Sequence, residues 1–182
     1  KKYLDARGSP LDPEHLTNGA KEVFYRTGKF IPPEFAVTQL WLESHAGQKG
    51  RSPVTNPFNV GEYDDHKNVI TFATSEAGIK AWYNLLVNDY LTGDITTDDL
   101  LKSSAEYENA TLNRATGEFF DLSGAPLDPN KVKYKHKGSY LNKAGKRYAL
   151  EQDYEKDFIV TMKKAAQIMY AKTDEEKAVE AQ

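Results

Sequence analysis

The stretch PPEFAVTQLWLESHAGQKGRSPVTNPFNV, residues 32–60, opens as a helix, closes as a loop, and carries an acid where the helix should hide apolar side chains. Pro33 suits a first helical turn, where its missing N–H is not needed. Ala36, Leu40 and Glu43 follow at i, i+4 and i+7, with Val37, Trp41 and Ser44 beside them. The spacing predicts a helix over 33–47 that Gly47 stops, with Glu43 on or at the edge of the buried stripe. Residues 48–60, rich in Gly, Ser, Pro and Asn, predict an ordered loop.

A carboxyl near a helix C-terminus meets the negative end of the macrodipole, and partial burial strips solvent from its charged form. Both effects favour the protonated acid. That is what a general acid needs in order to protonate a leaving oxygen, as in glycosidic bond cleavage. The ordinary alternative is a boundary glutamate that pairs with a lysine or caps a turn.

Outward from this stretch, Asp12 caps a helix over 13–27 that begins with Pro13, ends at Gly28, and repeats Leu16, Ala20, Val23 and Phe24 at helical spacing. EYDDHKNVITF, residues 62–72, reads as a short hairpin with Val69, Thr71 and Phe72 suited to a strand. After Ser75, Ile79, Trp82, Tyr83, Leu86 and Tyr90 form a full helical stripe that ends at Gly93. A shorter helix starts at Thr97 with Asp98 and Asp99 near its positive end, and a last one over 151–171 turns Tyr154, Phe158, Met162, Ala165 and Met169 inward. Over 113–146 the periodicity fails, which predicts an irregular insertion or a weak hairpin, and 172–182 reads as a frayed polar tail. SPLDP at 9–13 and APLDP at 125–129 are too short to make a repeat. Residues 1–171 are thus expected to form a single domain, of α+β class and mainly α.

The chain has 182 residues, 39% of them apolar, enough to bury a core. Its 24 basic and 27 acidic residues are interspersed, which argues against a nucleic-acid surface and against a basic membrane patch. No apolar run approaches the roughly 20 residues that span a bilayer. Cysteine is absent, so disulfides and thiolate sites are excluded. His15, His45, His66 and His136 are scattered without metal-ligand spacing, so no catalytic metal and no cofactor is expected. Lys131, Lys133, Lys135, His136 and Lys137, with Tyr134 and Tyr140, could read as nucleic-acid binding, but a solvated loop face is the expectation in an acidic chain.

Glu43, Ser44, Gly47 and Ser52, followed by NPFNVG at 56–61, FATSEAGIKAWYNLL at 72–86 and RYALEQDYEKDFI at 147–159, lie in an order that resembles the lysozyme-like glycan hydrolases, above all the bacterial and phage glucosaminidases and lytic transglycosylases. The chain departs from that pattern in its short β lobe, in NPFNV where a glycine commonly follows the Phe, and in the insertion before Tyr148. The resemblance implies a lysozyme-like helical domain with a small β-hairpin lobe that cleaves peptidoglycan glycan strands. Glu43 would be the catalytic acid, Ser44 and Asn56 would shape its surroundings, and Tyr148 would line the cleft opposite it. Tyr148 could equally be a core tyrosine, and Phe58 is expected to pack under the loop.

Retaining and inverting glycosidases need a second carboxylate, about 5 Å or roughly 6.5 to 9.5 Å from the acid. Glu62 is the first choice for it. Asp64 and Asp65 suit a turn equally well. A lytic transglycosylase, by the same resemblance, needs no second acid, because the sugar's own hydroxyl closes an anhydro ring. The start KKYLDARGSP has neither an initiator methionine nor the apolar core of a signal peptide. The expected setting is a virion-associated phage protein acting on the cell wall beside other virion proteins, with a bacterial autolysin domain as rival. A non-catalytic virion or glycan-binding module of the same fold is the alternative from a different class.

Overall fold

The computed structural model describes residues 1–61, 70–102, 107–113, 116–135, 138–151 and 154–182, with Lys102 described by its backbone alone. Over these residues the chain is mainly helical with one small antiparallel sheet, the α+β class that its sequence predicts.

The helix of the opening stretch, which we number α3, spans Pro33–Ser44 and buries Phe35, Ala36, Val37, Thr38, Gln39 and Leu40 in succession. The spacing predicts a stripe on one side, yet consecutive burial puts hidden residues on every face, the mark of a central helix. The helix spanning Tyr154–Met169, α6, packs along it, with the Phe35 and Phe158 rings 4.8 Å apart. A short helix that the sequence did not suggest, α1 (Lys2–Arg7), closes on α6 through buried Tyr3 and Leu4.

Helix α2, Pro13–Thr27, begins as expected: Asp12 accepts a hydrogen bond from the Glu14 N–H at 2.9 Å, and Gly28 stops the helix in the left-handed region. It buries Leu16, Gly19 and Val23, whereas Phe24, expected to face inward, is 47% exposed. Gly19 sets this face. A Cβ there would meet the Tyr83 ring at 2.5 Å, so the bare backbone lets the next long helix lie close and turns Phe24 to the flank.

That helix, α4, spans Ser75–Leu85, with the Thr74 hydroxyl accepting from the Ala77 N–H at 3.1 Å. Ile79, Trp82, Tyr83, Leu86 and Tyr90 are all buried, as their spacing predicts. Over Leu86–Tyr90 the helix widens into a π-helical turn, closed by the Leu91 N–H on the Leu86 carbonyl at 2.8 Å. The extra residue in that turn lets Leu86, Val87, Tyr90 and Leu91 all reach the core. Trp82 stacks flat on Phe58, with centroids 4.1 Å apart. Helix α5, Thr97–Lys102, starts where Thr97 predicts.

Two strands of the sheet lie inside 113–146, the region that reads as an irregular insertion or a weak hairpin, and the first strand leads into it. Strands β1 (Ala110–Asn113), β2 (Glu118–Asp121) and β3 (Pro126–Leu127) run antiparallel in that order, with Thr111 opposite Phe120 and Phe119 opposite Leu127. Strands this short show little alternation, so their period is hard to read from sequence. They enclose a second core of Ala110, Phe119 and Val132, with Tyr107, Leu112, Leu127 and Tyr134 packed on it. The hairpin expected over 62–72 lies outside the described residues apart from 70–72, which form no strand. Asp128 caps the short 3₁₀ turn Pro129–Lys131 as Asp12 caps α2, so the two LDP motifs share a local device. Beyond α6 the expected frayed tail contains an exposed helix, α7 (Asp174–Glu180), held by a Thr173–Glu176 capping box. Among the described residues no helix is long and apolar enough to cross a membrane.

Candidate active site

Glu43 is half-buried at the last turn of α3, and the chain leaves the helix after Ser44. His45, Ala46 and Gly47 take φ values of 47°, 57° and 82° in succession. Left-handed backbone costs a non-glycine residue roughly 1 to 2 kcal/mol. Local bonds offset that cost: the Ser44 hydroxyl accepts from the Gly47 N–H at 2.8 Å and donates to the Leu40 carbonyl at 3.3 Å, and Ser9 donates to the Ala46 carbonyl at 2.7 Å. The His45 ring stacks on Trp41, 4.7 Å away, and so turns from the acid. Gly47 has no substitute here, since a Cβ would meet Leu11 at 2.8 Å.

The loop that follows is tied by Asn56, fully buried, whose carbonyl oxygen accepts from the Val60 N–H at 2.9 Å and whose amide donates to the carbonyls of Val60 and Ile70 at 3.1 and 3.3 Å. The tie bends the backbone so that Asn59 sits at φ 51°. The Asn59 amide then donates to the main-chain carbonyl of Glu43 at 2.8 Å and to its carboxylate Oε2 at 3.2 Å. Glycine and asparagine are the residues that adopt this backbone most readily. Asn59 therefore takes up the turn and adds a donor to the acid.

The other oxygen, Oε1, accepts from Gln39 Nε2 at 3.0 Å and from the Tyr154 hydroxyl at 3.2 Å. Gln39 Nε2 also donates to the Tyr154 oxygen, and the Tyr140 hydroxyl donates to Gln39 Oε1 at 2.7 Å. Tyr148 closes the group, its ring centroid 5.1 Å from Tyr140, 5.4 Å from Tyr90 and 6.4 Å from Tyr154. Burial and then the nearby Glu43 charge hold the Tyr148 and Tyr154 hydroxyls well above the ordinary tyrosine range. For Tyr140 burial is again foremost, followed by the neighbouring tyrosines. These groups stay neutral near neutral pH, and each can donate to a carboxylate or accept from a carboxylic acid.

Of the residues singled out in the sequence, Glu43 and Tyr148 lie in one cluster. Ser44 and Asn56 are 1% and 0% exposed and make the turn and the loop bonds described above. Glu62, with Asp64, Asp65 and His66, lies outside the described residues, as do His136 and Lys137. The basic cluster is divided: Tyr134 packs in the second core and Tyr140 is buried beside Gln39, while Lys131, Lys133 and Lys135 are exposed. Among the described residues no group of His, Asp and Glu side chains could hold a metal ion.

Sequence reasoning missed Gln39, Asn59, Tyr140 and Tyr154 as parts of the site. Gln39 stands one helical turn before Glu43, a polar residue in an otherwise apolar run, and that was its available signal. Asn59 was marked by its departure from glycine. Tyr140 and Tyr154 arrive from distant segments, and spacing carries no trace of such contacts. Compared with known proteins, the chain matches no family model, no curated protein and no solved structure.

Proposed function

We propose that this protein cleaves the glycan strands of peptidoglycan, with Glu43 as general acid and then base. The observation that carries the reading is the setting of Glu43: a half-buried carboxyl at a helix end, held by side-chain donors on both oxygens. A surface glutamate kept for solubility has no use for such a frame, whereas a proton-transfer group must be held within hydrogen-bond reach of its target. The order of motifs that resembles the glucosaminidases and lytic transglycosylases supplies the substrate class.

In this reaction the Glu43 proton passes to the glycosidic oxygen, the bond from that oxygen to the sugar C1 breaks, and its electron pair leaves on the oxygen. The carboxylate left behind accepts the proton of the attacking hydroxyl. If that hydroxyl belongs to the sugar, an anhydro ring closes and one carboxyl is enough. If it is water, a second carboxylate must activate it or hold the covalent intermediate, and Glu62 is the candidate. On this reading Tyr148 lines the substrate cleft opposite the acid, and no cofactor takes part. The setting is the cell wall, reached by a phage virion in company with other virion proteins or by a bacterial autolysin.

The test is to incubate the protein with purified peptidoglycan and identify released muropeptides by mass spectrometry. Anhydro ends identify a lytic transglycosylase, reducing N-acetylmuramic acid ends a muramidase, and reducing N-acetylglucosamine ends a glucosaminidase. Binding to the wall without release would make the chain a glycan-binding module and sink the enzymatic reading.

A further inference from the structure

Gln39 is 0% exposed, and a carboxamide buried to that degree must satisfy both of its ends. The two ends have different chemistry. Tyr140 is itself buried, and its hydroxyl donates to Gln39 Oε1 at 2.7 Å, which orients the amide with Nε2 toward Glu43. Nε2 then donates both to Glu43 Oε1, at 3.0 Å, and to the oxygen of Tyr154. A tyrosine oxygen that accepts from an amide has one proton left to place, and that proton points at Glu43 Oε1, 3.2 Å away. Oε1 thus takes two donors from a rigid chain that runs from Tyr140 through Gln39 to Tyr154.

From this we infer that Gln39 is a positioning residue: it fixes the Tyr154 proton on Oε1 of Glu43 and so sets the orientation of the carboxyl that exchanges a proton with the substrate. The inference rests on the reading of Glu43 as proton donor. The arrangement has a chemical use: a donor fixed on the ionised carboxyl stabilises the charge that remains once the proton has passed to the substrate. Among the described residues, the titratable groups near the acid include the Tyr154 hydroxyl from α6, the Tyr140 and Tyr148 hydroxyls from the segment before it, and His45, which stacks on Trp41 at the end of the same helix. The tyrosines are held neutral by burial, and Gln39 is a neutral donor whose removal acts on the carboxylate form.

The experiment follows the Glu43 carboxyl by ¹³C NMR across pH in the wild type and in Gln39→Met, with His45 followed separately through its ring carbons. Losing a donor to the ionised form moves the Glu43 midpoint up by about one pH unit. A folded Gln39→Met protein with an unmoved midpoint overturns the inference. Should that variant fail to fold because the Tyr140 hydroxyl is orphaned, the wild type decides. The Gln39 side-chain N–H resonances then shift with the Glu43 midpoint, and resonances that ignore it overturn the inference. Where the wild type releases muropeptides, the alkaline limb of its pH–rate profile moves up by the same interval in Gln39→Met, and a limb that stays put contradicts the assignment. A wild type that releases none refutes the proposed function, while the titration still judges Gln39 by itself.

Discussion

At the scale of the residue, the most informative position is Asn59, because backbone and side chain can be tested apart. Asn59→Gly keeps the left-handed turn and removes the amide that reaches Glu43. The expected outcome is a stability loss of about 1 kcal/mol from the bond to the Glu43 main-chain carbonyl, with muropeptide release lowered about tenfold, the size of one charge-assisted hydrogen bond. Asn59→Ala should lose the same rate and about 1 kcal/mol more of stability, since alanine resists φ 51°. Thermal melts and release assays on the pair check both statements, and an Asn59→Gly protein of full activity would mean that the amide serves only the fold. Glu43 itself was legible because a carboxyl closing an apolar helical run is conspicuous. Its partners were not, since Gln39 looks like any polar helix residue and Tyr154 like any core aromatic until tertiary packing brings them to one point.

At the scale of the element, the site depends on how closely α4 approaches the loop that carries Asn56 and Asn59. Gly78 allows that approach: a Cβ there would meet the Thr55 carbonyl oxygen at 1.9 Å, a main-chain atom that cannot rotate away. Gly78→Ala should therefore cost roughly 1 to 3 kcal/mol, as overpacking does, and should lower muropeptide release because the displaced loop drags Asn59 from Glu43. Denaturant melts and release assays check it, and an unchanged melt would show that the loop has slack. Trp82→Ala should cost roughly 3 to 5 kcal/mol, because it removes the ring that Phe58 stacks on beneath the same loop. The stripe of α4 was plain in the sequence, since five apolar residues at helical spacing admit one reading. The widening over Leu86–Tyr90 was not, because a π turn changes hydrogen bonding without changing residue type. The sheet was legible only as a weak hairpin, for a related reason: its strands pack on their own small core, and their order emerges from the Asp121 turn rather than from alternation.

At the scale of the whole molecule, a row of buried tyrosines joins the site to the core and gives the fold a sensitivity to alkali. Burial holds Tyr83, Tyr140, Tyr148 and Tyr154 above their ordinary range, and Tyr90 is pushed up to about 12 by burial and then by the Asp89 charge. An unfolded chain sheds these protons near pH 10 while the folded chain keeps them, so their contribution is complete below about pH 10 and is lost as pH rises through the folded values. Urea midpoints should be level up to about pH 9.5 and fall steadily above about pH 10. A still-folded protein whose buried tyrosines ionise near pH 10 would contradict this. The fold class was legible because helical stripes and caps are local signals. The central burial of α3 and the convergence of Tyr140 and Tyr154 on Gln39 were not, because they depend on which faces meet. The proposed function rests on one carboxyl, and the most direct test is to compare Glu43→Gln with the wild type on purified peptidoglycan, with matched melts as control. The substitution keeps the shape and removes the transferable proton, so muropeptide release should fall by about 10² to 10⁴ with the fold intact. A folded Glu43→Gln protein that releases muropeptides at the wild-type rate would contradict the assignment of Glu43 as the acid.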